Sequence, residues 1–249
     1  MTRKNARFGR MRLGRRAAAA AAICCAAVSA SAEEGLAPPA AVVELFTSQG
    51  CYSCPPAEKV LAEAIAPHPG AVALELHVDY WDDLVYGGSV WKDPFSDGDY
   101  TRRQTSYNIK IRDTRTVYTP QAVIHGRRQA SGTQKERILR AVEEVLQTPP
   151  EVRFRFSGRN KVRAEGALPP GAQIFYAIFW RERTTEIVAG ENKGKVLRNT
   201  NVVTKLERLP FGVREAEIPA FDGALQDCAV WLQQGLAGRI LSAARCPAA

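Results

Sequence analysis

The chain has 249 residues, 45% hydrophobic and 24% charged, which is long enough to bury a real core and has no tract that reads as disordered. Its formal charge of +8 suggests a nucleic-acid footprint, but seven of the 34 basic residues lie in residues 1–16, MTRKNARFGRMRLGRR, which hold no acid. Without that segment 27 basic residues face 26 acidic ones, and a near-neutral remainder excludes a polyanion-binding surface.

The basic stretch is followed by AAAAAAICCAAVSA (17–30), and Ala30-Ser31-Ala32 fits the A-x-A cleavage pattern. Basic region, short apolar run and small residues at the cut make residues 1–32 a secretory signal of bacterial type. The apolar run is short and alanine-rich for a membrane span, and no later stretch approaches the required length. Arg15-Arg16 fits a twin-arginine route poorly, and Ala22-Ile23 before Cys24 is a weak lipobox, so plain export to the periplasm or the medium is expected. Cys24 and Cys25 would leave with the signal, so the mature chain keeps Cys51, Cys54, Cys228 and Cys246. An even count in an exported protein suggests pairing. Three connectivities are open, and proximity along the chain favours Cys51–Cys54 with Cys228–Cys246.

From Ala41 onward the elements alternate. AVVELFT (41–47) reads as a strand buried on both faces. CYSCPPAEKVLAEAIA (51–66) carries Val60, Leu61, Ala64 and Ile65 at helical spacing, and Pro67 with Pro69-Gly70 stops it. AVALELHVDYW (71–81) is a second strand, residues 82–98 a loop, and DYTRRQTSYNI (99–109) a helix. Thr119-Pro120 opens the strand QAVIHG (121–126), and TQKERILRAVEEVLQ (133–147) is an amphipathic helix. The alternation predicts an α/β domain over 33–150 with a central mixed sheet and flanking helices. After Pro149-Pro150 the helices vanish. EVRFRFSGRNKVRAEG reads as a hairpin, and IFYAIFW (174–180), KVLRNTNVVTKLERL (195–209) and CAVWLQQ (228–234) as strands. Residues 151–249 are therefore expected to form a separate antiparallel, β-rich, sandwich-like domain.

The chemistry centres on Cys51 and Cys54, where a strand ends and a helix begins. Thiols there feel the unpaired N–H groups and the positive end of the helix dipole, which stabilises a thiolate. Cys51 is expected to be the more exposed attacking thiol and Cys54, one turn in, the resolving one. Pro55 and Pro56 fit the first turn, where a missing N–H costs little. C-x-x-C alone also serves zinc sites and structural staples. Its weight is raised by the βα junction and by Thr119-Pro120 just before the third strand, where thioredoxin-like folds place a cis-proline beside the cysteines. Glu44, in the strand leading to the motif, occupies the place of the buried acid that serves thioredoxins in proton transfer.

Together, VVELFTSQGCYSCPPAE, HVDYWD and VYTPQAVIHG resemble a secreted bacterial family of thioredoxin-like proteins known as domain of unknown function 1223. GENKGKVLRNTNVV and VWLQQGLAGRILSAA are also similar to its motifs, so the resemblance spans nearly the whole mature chain. It implies a thioredoxin-like domain followed by a β-rich extension, and no established reaction. The wider thioredoxin resemblance implies Cys51 as nucleophile, Cys54 as resolving thiol and Thr119-Pro120 as the substrate-facing loop. The dipeptide between the cysteines departs from that pattern, Tyr52-Ser53 standing where thioredoxins have Gly-Pro.

Other groups carry plainer expectations. His77 and Asp79 fall on one face near a strand end, as hydrogen-bonded structural residues. Tyr80, Trp81 and Trp91 read as core packing or the wall of a groove, and Arg102, Arg103 and Gln104 as a solvated helix face. No cofactor and no resident metal are expected. A metal site would need Cys51, Cys54 and His77 or His125 to converge, with no second C-x-x-C, which leaves copper handling as the minor reading. A Cys228–Cys246 bond would stabilise by roughly 3 kcal/mol through loop closure. The function expected is exported thiol–disulfide exchange on protein or small-molecule thiols and disulfides; the alternative is a non-catalytic binding module. Neither a nucleic-acid partner nor a stable membrane span is expected, and the oligomeric state is not legible.

Overall fold

The computed structural model describes residues 1–2 and 35–248, so the expected leader, with its Cys24 and Cys25, lies outside them except for its first two positions. After β1 (Gly35–Leu36), AVVELFT forms β2 (Ala41–Thr47), every residue of it buried. The strand is apolar on both faces because helices cover both. Ala41, Val43 and Leu45 pack with Leu61 and Ile65 of α1 (Cys54–Ile65) and with Ile138 and Val142 of α3 (Lys135–Leu146). Val42 and Phe46 join the opposite core, with Tyr100 and Tyr107 of α2 (Gly98–Arg112). The two-residue period of a strand thus sorts β2 side chains between an α1/α3 face and an α2 face.

β3 (Ala71–His77) pairs in parallel with β2 and repeats the sorting: Ala71 and Ala73 face α1 and α3, while Val72, Leu74 and Leu76 face the α2 side. The strand ends at His77, four residues short of the expected Trp81, because the chain turns at Asp79–Asp82. A small hairpin, β4 (Val85–Tyr86) with β5 (Ser89–Val90), follows in the loop before α2. β6 (Gln121–Ile124) lies antiparallel to β2, and β7 (Arg128–Ser131) closes that edge.

Beyond residue 150 come the expected hairpin, β8 (Arg153–Ser157) with β9 (Lys161–Glu165), and the long pair β10 (Ala172–Glu186) with β11 (Val196–Arg208). β12 (Glu215–Glu217), β13 (Gln226–Gln234) and β14 (Ile240–Arg245) complete the chain. These strands are not confined to a sheet of their own. β11 pairs in parallel with β3 at Val202 and Glu75, so one mixed sheet of eight strands runs β14-β13-β10-β11-β3-β2-β6-β7. The element change at residue 150 is therefore no boundary in the sheet, and residues 35–248 lie within one compact unit. A second, antiparallel sheet, β1-β8-β9-β12, covers the far part of the first. Phe154, Phe156 and Val162 pack there on Ile174, Ile178 and Val230, the local sandwich that the alternating pattern predicts. Cys228 and Cys246 are bonded within this core, Cα–Cα 5.3 Å, fastening the chain end to β13. Among the described residues no helix is long and apolar enough to cross a membrane.

Candidate functional site

Cys51 and Cys54 are joined in a disulfide, Cα–Cα 5.4 Å, where β2 gives way to α1. Cys54 is the first residue of the helix, with Pro55 and Pro56 in its first turn. No side chain caps this helix start, and with Pro55 and Pro56 lacking an N–H and the Cys54 amide bonded to the Cys51 carbonyl, it is the helix dipole that is turned toward the sulfur at that end. Three loops meet here. Trp81, after β3, donates from Nε1 to Thr119 Oγ1 at 2.8 Å, and its Cβ would lie 3.4 Å from a Cβ on Gly50, beside Cys51. The Thr119–Pro120 peptide is cis, and Pro120 accepts from the Gly132 amide at 3.0 Å. A side chain at 132 would meet Pro120 Cβ at 3.1 Å and Ala57 Cβ at 3.0 Å, so only glycine lets the proline loop and the first turn of α1 approach this closely.

Cys51, expected as the more exposed thiol, is 1% exposed against 0% for Cys54, so both cysteines are buried, although Tyr52 between them is 63% exposed. A segment about 140 residues away bonds the backbone at this motif. The tip joining β10 to β11, Glu191–Lys195, lies on the motif. Asn192 donates to the Gln49 and Cys51 carbonyls at 2.8 and 2.9 Å, and Glu191 accepts from the Tyr52 amide at 2.7 Å. Lys195 Nζ lies 4.3 Å from the centre of the Tyr52 ring.

Beneath the motif lies a buried polar cluster on the α1 face of the sheet. Glu58, one turn beyond Cys54, accepts from the Thr47 hydroxyl and from Asn199 Nδ2, the latter at 2.9 Å. The same Asn199 amide donates to Glu75 at 3.0 Å, and Gln49 Nε2 donates to Asn199 Oδ1 at 2.9 Å. His77 Nδ1 lies 2.7 Å from Asp93 Oδ2, which also accepts the Gln49 amide, and Nε2 lies 3.7 Å from Glu75. Burial, reinforced by the charge of Glu75, pushes the Glu58 carboxyl from 4.5 up to about 8. For His77 burial works the other way, but the Asp93 and Glu75 carboxylates outweigh it and raise the imidazole to about 10. His77 in turn outweighs burial at Asp93 and holds that carboxyl below its ordinary range. At neutral pH the cluster therefore contains an imidazolium, the Asp93 carboxylate and an un-ionised Glu58. Glu58 and Glu75 also border a cavity of about 250 Å³ that reaches Asn201 and Arg245.

Glu44, expected as the buried acid near the cysteines, points to the other side. It lies on the α2 face with even-numbered neighbours, where Arg103 Nε donates to it at 2.5 Å and the Tyr107 hydroxyl at 2.5 Å. Arg103 and Gln104 are buried rather than solvated, Gln104 donating to the Tyr118 carbonyl at 2.7 Å. Only Arg102 of the three is exposed. Tyr80 and Trp81 are partly buried against the α2-side core, and Asp79 accepts from the Thr101 hydroxyl at 2.5 Å. His125 stands away from the cysteines, its Nδ1 accepting the Val42 amide at 3.3 Å. The convergence that a cysteine–histidine metal site would need does not form with it, and among the described residues no three His, Cys, Asp or Glu side chains are placed to hold a metal ion. Glu58, Glu75, Asp93, Asn192 and Asn199 are the site residues that sequence reasoning passed over.

With this geometry in place, comparison with known proteins gives a family. The chain belongs to the DUF1223 family of proteins of unknown function. The match covers residues 42–233, from β2 to the end of β13, and so includes the motif, the Thr-Pro loop and the β10–β11 tip. Among solved structures, a crystal structure of a protein from Agrobacterium tumefaciens is 28% identical with a TM-score of 0.61, over 83% of this chain and 93% of that one. HBP35 of Porphyromonas gingivalis is 11% identical with a TM-score of 0.53, over 86% of this chain and 76% of its own, a likeness of fold alone. No curated protein matches.

Proposed function

We propose that this DUF1223 protein is an exported thioredoxin-like thiol–disulfide exchange protein working through Cys51 and Cys54. The observation that carries the reading is the bonded pair at the start of α1 with the buried Glu58 carboxyl one turn further along the same helix. The leader-like N-terminus and two cysteine pairs bonded in the fold support an oxidising compartment, the periplasm or the medium.

In the oxidised form a substrate thiolate attacks Cys51 Sγ, forming a mixed disulfide and releasing Cys54 as thiolate. The helix N-terminus stabilises that leaving group. Cys54 and Glu58 are four apart on one helix face, roughly 6 Å between Cβ atoms by helix geometry, so the Glu58 carboxylic acid supplies the proton that Cys54 takes up. A second substrate thiolate then attacks the substrate sulfur of the mixed disulfide and releases Cys51 as a thiolate, which takes its proton from solvent. The substrate pair is oxidised to a disulfide, and the protein holds both electrons as a dithiol; the reverse sequence reduces a substrate. The cavity beside Glu58 gives that carboxyl a way to exchange its proton with solvent.

The test is insulin reduction in the presence of dithiothreitol, with Cys51→Ser as control. Wild type is expected to be clearly faster, and a rate no higher than the control would sink the reading. The burial of Cys51 favours a second reading, a non-exchanging binding module with a structural disulfide. That reading predicts no alkylation of Cys51 after mild reduction.

A further inference from the structure

Disulfide exchange requires an incoming thiolate to reach sulfur, and both sulfurs lie in buried residues. We propose that the β10–β11 tip is a latch over the site and that Asn192 is the positioning residue that holds it shut. This rests on the exchange reading above and concerns how that site is regulated.

The tip is mostly surface: Lys193, Gly194, Lys195 and Val196 are exposed, and Gly190 and Glu191 are half-buried. Asn192 alone between Gly190 and Val196 is fully buried. Its side chain makes no bond within either flanking strand. Instead both protons of Nδ2 are spent on the carbonyls of Gln49 and Cys51, which bracket Gly50 immediately before the sulfur. A carbonyl buried beside the motif needs a donor, and this amide supplies it from the far half of the chain. Lys195 Nζ, 2.8 Å from Asn192 Oδ1, fixes which end of the amide faces the motif, and Glu191 takes the next free amide, that of Tyr52.

The latch is also built to move as a unit. It is anchored by the buried Ile187 and Ala189, turns on Gly190 and Gly194 at φ +75° and +84°, and is closed by the Ile187–Lys195 and Gly194–Ile187 backbone bonds. Its hold on the motif is made by Asn192, Glu191 and Lys195, beside which Gly190 packs close to Trp91 and Glu191 reaches Tyr86, so losing the two Asn192 bonds loosens the tip without opening the β10–β11 ladder. A substrate that reaches Cys51 must displace this contact set, which makes the tip a gate against indiscriminate thiols.

The experiment compares wild type, Asn192→Asp, Asn192→Ala and Lys195→Met in the rate at which excess dithiothreitol reduces Cys51–Cys54, read by quenched alkylation and mass, alongside melting temperature. Asn192→Asp keeps the shape and removes both donors, so it is expected to react at least tenfold faster than wild type, like Asn192→Ala. Lys195→Met, at an exposed position, is expected to give a smaller acceleration of about threefold and covers the case in which the Asn192 variants fail to fold. The equilibrium between oxidised and reduced forms in dithiothreitol buffer is expected to move far less than the rate. Natively folded variants that all react within twofold of wild type would overturn the latch. So would acceleration seen only in variants whose melting temperature has collapsed. Faster reduction in variants that still lack insulin activity would leave the latch standing and remove the exchange reading instead.

Discussion

Replacing Glu58 by glutamine keeps the side-chain shape and removes the proton that separates the folded from the unfolded chain. In the fold Glu58 titrates at about 8 because burial and Glu75 oppose its charge, against 4.5 for an ordinary glutamate. The folded protein therefore holds a proton that the unfolded chain has already released, and stability falls as pH rises from 4.5 to 8. At about 1.4 kcal/mol per unit, that interval sets a ceiling of about 5 kcal/mol. Water entering from the adjoining cavity lowers it, so a loss of about 2 kcal/mol or more specific to wild type is expected between pH 5 and 9. His77, with its folded value near 10 against 6.5 unfolded, adds a loss of the same sign above pH 6.5, but in both proteins. Asp93, depressed in the fold, acts near and below 3.8, outside this window. The assay is urea unfolding of the oxidised protein at pH 5, 7 and 9. The amide can still accept from Asn199 and pair with the Thr47 hydroxyl, so Glu58→Gln should fold and show the flatter profile. Parallel profiles for the two proteins would refute a neutral buried Glu58 and, with it, its role as proton donor to Cys54.

Two further predictions separate the acids of this protein. Asp93→Asn leaves the buried His77 imidazolium without its 2.7 Å partner and should cost about 3 kcal/mol in urea unfolding at pH 7, with a smaller deficit at pH 10, where about half of the wild-type His77 is neutral. Glu44→Gln breaks the buried pair with Arg103 and should cost a similar amount, yet leave the pH dependence of dithiothreitol reduction at Cys51–Cys54 unchanged. A shifted profile would return the proton role to Glu44.

Much of this was readable in residue order. β2 follows from its continuous apolar run and α1 and α3 from apolar residues at helical spacing, each within a few residues, and the hairpin after residue 150 from its alternation. The disulfide partners were legible because each pair is near in sequence. Glu58 was also within reach: it lies on the same stripe of α1 as Cys54, Leu61 and Ile65, and an acid on an apolar stripe signals a buried charge. The choice of Glu44 instead failed on parity. Residues 43 and 45 face α1, so 44 must face α2, but which helix covers which face is decided only when the sheet is assembled.

The sequence by itself determined the local elements, the cysteine pairing and the helix start beneath Cys54, because each depends on neighbours within a few turns. Tertiary structure alone decided what surrounds the sulfurs. The single parallel contact of β11 with β3 merges the two halves into one sheet, and this brings Asn199 onto Glu58 and Glu75 and Asn192 onto the Cys51 carbonyl. Contacts across 124 to 141 residues leave no periodicity to read, since each is a lone polar side chain satisfying a buried group that only the assembled sheet brings within its reach.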